Sequence, residues 1–599
     1  MTLKVSYDVE NMTNKSSMTI KANVEDLLNL KKRRKNNSLL REISLRSVSS
    51  RHPLNVKPEG NLLLNEYNSV IEGERKKQMG VFFRFEDDLL MDIMSYIKNV
   101  EDLKNLSHTS RFMYAYLYDE DLWKMKYISQ YFSSGRGPVK SRPWKGSWRS
   151  TMLGIAEQEQ AKLQVAENIL CSDVLYRPFQ CSQIEYPNLF ADIIHEEDIN
   201  RKQQNRDLVS SNPLHLQKIP RLSEEALSMQ LFIERWHGEP FILNSSSDER
   251  WPNWNIEYLL KRFPEVPFRQ EAVEWNLSSY VEYLKSNQDE SPLYLFDCNS
   301  IAMKNLKTEY IPPKIFQYDL FSVFEQESIN CRPDHAWLIV GPERSGSTFH
   351  KDPNNTSAWN TTLSGRKLWV MLPPGITPPG VSTDKDEGEV TSPVGIAEWV
   401  LSGFFNDCLR IQECKIGVTF PGECLYVPSN WWHLVINLDN SVAVTQNFVP
   451  LPTLTKTLEF FKSKGEQVSG FRPKEVKDAL EHIIKQALVE DNEIIKFKEY
   501  CHMFNALKLD PYLQSEDCGE LTQLPQIPIY ELFKKLLVQN GYLKELSASL
   551  ENILNDNTQS RATTGHNKLW KKLTTDRDNK KNSFSFDFNV NEEPDAQVS

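Results

Sequence analysis

Between Pro292 and Phe448 the chain is cut into short apolar runs by Gly, Pro and Asn turns. Pro292 to Asp297, Ala336 to Val340, Lys367 to Leu372, Gly422 to Pro428 and Ser441 to Phe448 are too short for packed helices and rich in β-branched and aromatic residues. Runs of this kind read as strands. A long series of them closes into a barrel or a double-sheet jelly roll, because only closure or sheet-on-sheet packing hides so many strand faces and edges. Helical patterns flank the series on both sides, so the expected fold class is α+β.

Upstream, Leu89, Leu90, Ile93, Met94 and Ile97 recur at three- and four-residue spacing. Leu103, Leu106, Ser110, Met113 and Leu117 form a second helical set, and a third begins at Leu122 and Trp123. Asn99 and Asp102 mark a turn between the first two. The organisation expected is a basic, mostly disordered region over 1–80, a helical module over 81–132, a linker with helical support over 133–214, the strand-rich domain over 215–450, a helical region over 451–560 and a disordered tail over 561–599. Within the linker, Trp144, Trp148 and Arg149 are expected to pin the chain to a neighbouring core, with a further helix beginning near Gly154. In the C-terminal region, Val476, Ala479, Leu480, Ile483, Ile484, Ala487 and Leu488 make one apolar stripe, expected to be a packing surface.

Bulk properties exclude several function classes. A formal net charge of -11 does not draw the chain onto nucleic acid, so direct nucleic-acid binding by the strand-rich domain is not expected. Mean hydropathy is -0.51 and no apolar run is long enough to span a bilayer, so no membrane association is expected. The N-terminus lacks the apolar core of a secretion signal. The nine cysteines are irregularly spaced without a C-x-x-C pair, which reads as free thiols in a reducing compartment. The basic run Lys31 to Lys35 is compatible with nuclear import or with a solvated linker, so the expected location is nucleus, cytoplasm or both.

Three residues carry the chemistry. His350 and Asp352 are two apart, so on a strand both side chains face one way while Lys351 faces the other. His433 must come from a later strand or its leading loop. Two imidazoles and one carboxylate are the ligand set of a non-haem Fe(II) oxygenase, with coordination positions left open for a 2-oxoacid and O2. On spacing alone, a second reading stands beside it. His350 would be a hydrogen-bonded loop residue, and His433 a core residue packed beside Trp431 and Trp432.

The surrounding residues resemble the JmjC branch of the cupin-like 2-oxoglutarate oxygenases, and within it the phosphatidylserine-receptor-like Jumonji group. The resemblance rests on GPERSGSTFHKDPNNTSAWNTTLSGRKLW, which starts at Gly341, and on PGECLYVPSNWWHLVINLDNSVAVTQNF, which ends at Phe448. It implies a double-stranded β-helix of the cupin or jelly-roll type, with Fe(II) and 2-oxoglutarate as cofactors. It also implies that His350, Asp352 and His433 hold the metal. Lys367 and Thr445 would hold the far carboxylate of 2-oxoglutarate, with Asn360 and Asn447 lining the same pocket and Tyr294 as a further donor. Trp359, Trp369, Trp431 and Trp432 are expected as water-excluding walls. Arg344 and Arg366 are expected to be structural.

Residues 85 to 132 resemble an F-box through Asp102, Leu103, Leu106, Ser110, Arg111, Phe112, Leu122 and Trp123, although Phe85-Glu86-Asp87 stands where that family opens on Leu-Pro. The resemblance implies docking on the Skp adaptor of a cullin-type ubiquitin ligase through Leu89, Leu90, Ile93, Leu103, Leu106 and Trp123. The plainer alternative is a helical domain packed on its own neighbour. Together these features lead us to expect a 2-oxoglutarate- and Fe(II)-dependent protein oxygenase that hydroxylates lysine or another side chain of a basic protein. The acidic run Asp384 to Glu389 would stand at the pocket mouth, or else be a solvated loop. The alternatives are an N-methyl demethylase, and a substrate-recruiting ligase subunit that uses the strand-rich domain only for binding.

Overall fold

A computed structural model describes residues 73, 76–85, 87–117, 120–133, 142–155, 185–202, 217–245, 250–506 (apart from 272, 288, 290, 389, 393, 394 and 402) and 526–555. The basic run at 31–35, the remainder of 1–80 outside those residues and the tail expected over 561–599 lie outside the described residues. The chain forms two compact units, Met1–Ile529 and Tyr530–Ser599.

The strands of the first unit are β1 (Arg221–Ser223), β2 (Phe241–Asn244), β3 (Pro267–Gln270), β4 (Val273–Asn276), β5 (Leu295–Asp297), β6 (Glu325–Gln326), β7 (Ile329–Asn330), β8 (Ala336–Gly341), β9 (Gly346–His350), β10 (Ser357–Ser364), β11 (Lys367–Leu372), β12 (Ser382–Thr383), β13 (Val390–Thr391), β14 (Lys415–Thr419), β15 (Cys424–Val427), β16 (Trp432–Asn437) and β17 (Ser441–Phe448). A nine-stranded sheet runs β1-β2-β15-β10-β17-β8-β5-β3-β4, and a four-stranded sheet runs β14-β11-β16-β9. All their pairings are antiparallel except β1 with β2. From β8 to β11 the chain alternates between the sheets at each strand, and from β14 to β17 it does so again. This is the winding of a jelly roll.

Side-chain alternation sorts the residues into layers. Trp369 and Met371 of β11 and Val435 of β16 meet Ile242, Ala358, Leu425 and Val427 of the large sheet in one apolar cluster between the sheets. Their neighbours Leu368, Val370, Leu372, Leu434 and Ile436 face the other way. They pack on Tyr186, Phe190, Ile396, Trp399 and Phe405. Trp359, Leu363, Val442, Val444 and Phe448 belong to a third and larger core on the far side of the nine-stranded sheet.

That third core also contains the N-terminal helices α1 (Asp87–Tyr96), α2 (Val100–Ser107), α3 (Arg111–Tyr116) and α4 (Glu120–Ser133), followed by α5 (Trp148–Leu153). Asn99 caps α2, its side chain accepting from Glu101 N at 3.0 Å. The second helical set is split in two at Thr109 and Ser110. Met113 N donates to Ser110 Oγ at 3.1 Å, which starts a new helix rather than continuing the old one. Gly154 ends α5 in a left-handed conformation at φ 72°, and the helix expected to follow it falls outside the described residues.

The module is joined to the sheet by polar contacts as well as apolar ones. Asp289, 5% exposed, accepts from Lys124 Nζ at 3.2 Å, Trp148 Nε1 at 2.8 Å and Tyr283 OH at 2.7 Å. Trp275 Nε1 donates to Tyr127 OH at 2.8 Å. Trp148 stacks on Trp275, and Trp144 meets Trp148 and Tyr283 edge-on. Leu90, Leu103 and Trp123 are completely buried in this core, which corrects their assignment to an adaptor surface. Leu89 is half-exposed, and Ile93 and Leu106 are partly buried.

After the sheets come α6 (Leu454–Ser463), α7 (Pro473–Gln486) and α8 (Asn492–Ala506). The α7 stripe buries Val476, Ala479, Leu480 and Ile483, but the helix stops at Gln486 and leaves Leu488 fully exposed. In the second unit, Leu532, Phe533, Leu536 and Leu537 of the helix Ile529–Gln539 are buried. No helix among the described residues is long and apolar enough to cross a membrane.

Candidate active site

The two histidines of the triad are direct partners on neighbouring strands. His433 of β16 pairs with His350 at the end of β9, and their rings lie 4.1 Å apart. The ladder is irregular between His433 and Val435, and Gly346 allows the approach there. A Cβ on Gly346 would lie 1.9 Å from the Val435 carbonyl oxygen. Asp352 follows β9 just past its end. Ligand atoms of His350, Asp352 and His433 all lie within 4.8 Å of one another, and among the described residues this is the cluster able to hold a metal ion.

The hydrogen bonds around the triad set its chemistry. His350 Nδ1 is 2.7 Å from the Thr348 carbonyl oxygen, and His433 Nδ1 is 3.2 Å from that of Trp431. A carbonyl only accepts, so each Nδ1 carries a proton, which leaves Nε2 as the ring atom each imidazole can offer a metal. Burial, and then the His350 ring, hold His433 well below the usual imidazole range, which keeps it neutral. Burial also raises the Asp352 carboxyl, while His350 and a hydrogen bond from Asn447 oppose that shift. Asp352 Oδ2 is buried without a hydrogen-bond partner. An orphaned carboxylate oxygen beside two imidazole Nε2 atoms fits a divalent cation.

The far end of the pocket is built around a buried ammonium. Lys367, 1% exposed, opens β11 on its inward face and donates to Tyr294 OH at 2.7 Å and Asn437 Oδ1 at 2.9 Å. Burial pushes its pKa down to about 7, and no carboxylate among the described residues counters that shift. Burial likewise pushes the Tyr294 hydroxyl upward, so it stays protonated. Gly341 makes room for that ring, since a Cβ there would come within 2.5 Å of it. An ammonium without an anion, flanked by a neutral phenol and an amide, fits the distal carboxylate of a 2-oxoacid.

Asn360 and Thr445 face each other on β10 and β17, and Asn447 pairs with Ala358 on the same two strands. Asn360 Oδ1 is buried and unpartnered. Thr445 Oγ1 donates to the Trp359 carbonyl at 2.7 Å, and Asn447 Nδ2 donates to Thr356 Oγ1 at 3.1 Å. Thr445 is therefore engaged with the backbone. Of the four tryptophans expected as walls, Trp369 and Trp431 lie in the cluster between the sheets, with Trp369 6.5 Å from the His433 ring. Trp359 and Trp432 are corrections. Strand alternation turns them outward, Trp359 against Trp251 and Tyr310 in the core on the far side of the nine-stranded sheet and Trp432 into the core behind the small sheet. Arg366 forms a two-point ion pair with Asp439 at 2.6 and 2.7 Å, and Arg344 donates to the backbone carbonyls of Asp289 and Asn287.

Asn437 was not identified from sequence. Its signal was parity, since 433, 435 and 437 share the inward face of one strand. Its amide also donates to Ser345 Oγ at 2.8 Å, which orients the oxygen toward Lys367. In the acidic run, Glu387 pairs with Lys351 at 2.6 Å, and Lys351 also lies over the Trp432 ring at 4.5 Å. Glu387 is thus engaged within the chain, beside two residues of the triad.

A family model described as a cupin-like domain matches residues 248–453. The chain is 32% identical over 449 residues to an arginine-specific demethylase of Arabidopsis thaliana, JMJ22, a match covering 72% of this chain and 81% of that protein. It is 34% identical over 267 residues to the bifunctional arginine demethylase and lysyl-hydroxylase psr-1 of Caenorhabditis briggsae, covering 41% of this chain and 65% of that one. It is 24% identical over 241 residues to the 2-oxoglutarate and iron-dependent oxygenase JMJD4 of Mus musculus, covering 39% and 54%.

Proposed function

The chain belongs to the cupin-like JmjC family of 2-oxoglutarate- and iron-dependent oxygenases, and from that premise we propose that it hydroxylates a lysine side chain of a basic protein. The observation that carries the chemistry is the pairing of an orphaned, buried Asp352 oxygen with a buried Lys367 that has no counter-ion. Neither arrangement serves stability, and each matches one end of the required cofactor pair. His350, Asp352 and His433 would hold Fe(II), and Lys367 with Tyr294 and Asn437 would orient the far carboxylate of 2-oxoglutarate. When bound, the pair would activate O2, the oxidant: one oxygen atom enters a substrate C–H bond and the other enters succinate, as 2-oxoglutarate gives up two electrons and CO2.

The protein's own residues do the rest. The Thr348 and Trp431 carbonyls keep the imidazoles in one tautomer. Trp369 and Trp431, with the apolar cluster around them, exclude water from the space between the sheets. Rotation of Thr445 away from the Trp359 carbonyl would free its hydroxyl for the oxoacid.

Two products can follow from one C–H oxidation. On an unactivated lysine carbon the alcohol is stable. On an N-methyl group the resulting carbinolamine collapses to formaldehyde and the demethylated nitrogen. The relatives named as arginine demethylases favour this second reading. Incubating the purified protein with Fe(II), 2-oxoglutarate and a basic peptide library distinguishes the two by mass. We expect a gain of one oxygen on lysine; loss of one methylene with formaldehyde release would replace hydroxylation by demethylation.

For the helical module we propose Skp-adaptor docking as an additional role, through the accessible residues Leu89, Ile93 and Leu106 rather than the buried Leu90, Leu103 and Trp123. Leu89→Asp should abolish adaptor co-purification without changing turnover; unchanged co-purification would end the F-box reading. Access to nucleus and cytoplasm is proposed from the basic run at 31–35, and its deletion should shift a tagged protein to the cytoplasm.

A further inference from the structure

We propose that Asn354 is a positioning residue for the metal site, clamping the turn that aims Asp352 onto the backbone of the segment after α6. This rests on the reading of His350, Asp352 and His433 as metal ligands. The two histidines are held by a strand ladder, but Asp352 lies beyond the end of β9, so its aim depends on the turn that follows.

That turn is unusual. Asn354 and Asn355 stand consecutively in the left-handed region, at φ 55° and 56°. L residues avoid this conformation, asparagine less than most, and two in succession need outside support. The support is visible. Asn354, 3% exposed, donates from Nδ2 to the Ser469 carbonyl at 2.9 Å and accepts from Ser469 N at 3.0 Å through Oδ1. Asn355 accepts from Ser429 Oγ through its backbone carbonyl at 2.8 Å and its side-chain oxygen at 2.9 Å. Ser429 shortly precedes His433, so this second tie joins the two ligand-bearing loops.

The segment that receives Asn354 also reaches the other flank of the triad. Lys464 Nζ donates to the Asp386 carbonyl at 2.5 Å and Gln467 Nε2 to the same oxygen at 3.3 Å. The next residue, Glu387, holds Lys351, which stands between His350 and Asp352. The metal-bearing stretch is therefore held on both sides by residues 464–469, directly through Asn354 and indirectly through the acidic loop. Neither Asn354 nor Ser469 lies in a strand or α-helix, so the clamp serves the turn rather than a ladder.

The test is Mn(II) binding to the full-length protein, followed without turnover by electron paramagnetic resonance, together with the melting temperature of the metal-free protein. Asn354→Gly keeps the left-handed freedom and removes both clamp bonds, and Asn354→Asp keeps only the acceptor. We expect the glycine variant to bind Mn(II) roughly 10- to 100-fold more weakly, with the aspartate variant between it and wild type. The metal-free melt should move little, and saturating Mn(II) should restore 2-oxoglutarate affinity. Ser469→Ala, which spares the backbone contacts, should match wild type. Unchanged Mn(II) affinity in folded Asn354→Gly protein overturns the proposal, as does a lowered melt without loss of affinity. If the glycine variant does not fold, the aspartate variant decides in the same way. His350→Ala in the same titration tests the metal reading separately, since wild-type binding there would remove the site itself.

Discussion

The junction beneath the helical module and the pocket between the two sheets each bury an aspartate, and they treat it in opposite ways. Asp289 at the junction has an ammonium, an indole N–H and a phenol around its carboxylate. Asp352 in the pocket keeps one oxygen with no partner at all. The same contrast holds for lysines. Lys124 at the junction faces Asp289, whereas Lys367 in the pocket has only neutral oxygens. Compensated burial holds a fold together, and uncompensated burial marks where something else is meant to bind.

The comparison breaks first, and with the largest effect, at the triad. His350→Ala or Asp352→Ala should reduce succinate release to background while the protein still folds, because ligands of an open site do not hold the core together. Persistent turnover in both variants would show that the orphaned oxygen marks nothing. The opposite outcome is expected at the junction. Asp289→Ala removes the acceptor shared by Lys124, Trp148 and Tyr283 and should destabilise the protein by about 3–5 kcal/mol, with per-molecule activity of the folded fraction retained. Denaturant unfolding followed by tryptophan fluorescence measures the first quantity, and succinate release at low temperature the second.

Lys367→Ala should raise the 2-oxoglutarate requirement roughly ten- to a hundredfold, the value of about 1.5–3 kcal/mol for a hydrogen bond to a charged group. Its pH dependence sharpens the point. In the empty pocket the ammonium titrates near 7, against an ordinary 10.5. Between those values the unfolded chain binds more protons, so stability of the ligand-free protein rises with pH through that window, and the full cost of the buried charge is present below about 7. Binding of the oxoacid needs the charged form, so its affinity should weaken as pH climbs above about 7, and the Lys367→Ala variant should lack that slope. A wild-type profile that is equally flat would move the anion elsewhere. The smallest effect is expected from Glu387→Gln at the rim, where Lys351 and Glu387 keep some solvent contact. It should change the unfolding free energy by about 1 kcal/mol at most.

Much of the fold was legible because it is written locally. The runs Lys367 to Leu372 and Ser441 to Phe448 coincide with β11 and β17. In both, alternate side chains had to find different layers, and no distant contact was needed to see it. The triad was legible for a related reason. Its residue types are chemically scarce, and a two-residue spacing puts His350 and Asp352 on one side of an extended chain. What failed was parity read too loosely. Trp359 sits between two pocket-side residues, Ala358 and Asn360, and therefore points outward, while Trp432 precedes the inward His433 and does the same. The leucines of α1 and α2 failed otherwise. An amphipathic helix shows an apolar face, but the pattern does not say whether that face meets a partner or the same chain, and here Leu90 and Leu103 meet the same chain.

Sequence alone pointed to the strands of the jelly roll and to the His350, Asp352 and His433 triad as a candidate site, since periodicity and residue type are properties of a few neighbouring positions. Tertiary structure decided which polar groups have partners. Asn437 beside Lys367, Asp289 beneath Trp148, and Ser469 against Asn354 are pairs from well-separated positions. Whether a buried charge is satisfied depends on the sum of such distant neighbours and on the water their packing excludes. That sum exists only once the two sheets and the helices around them have closed.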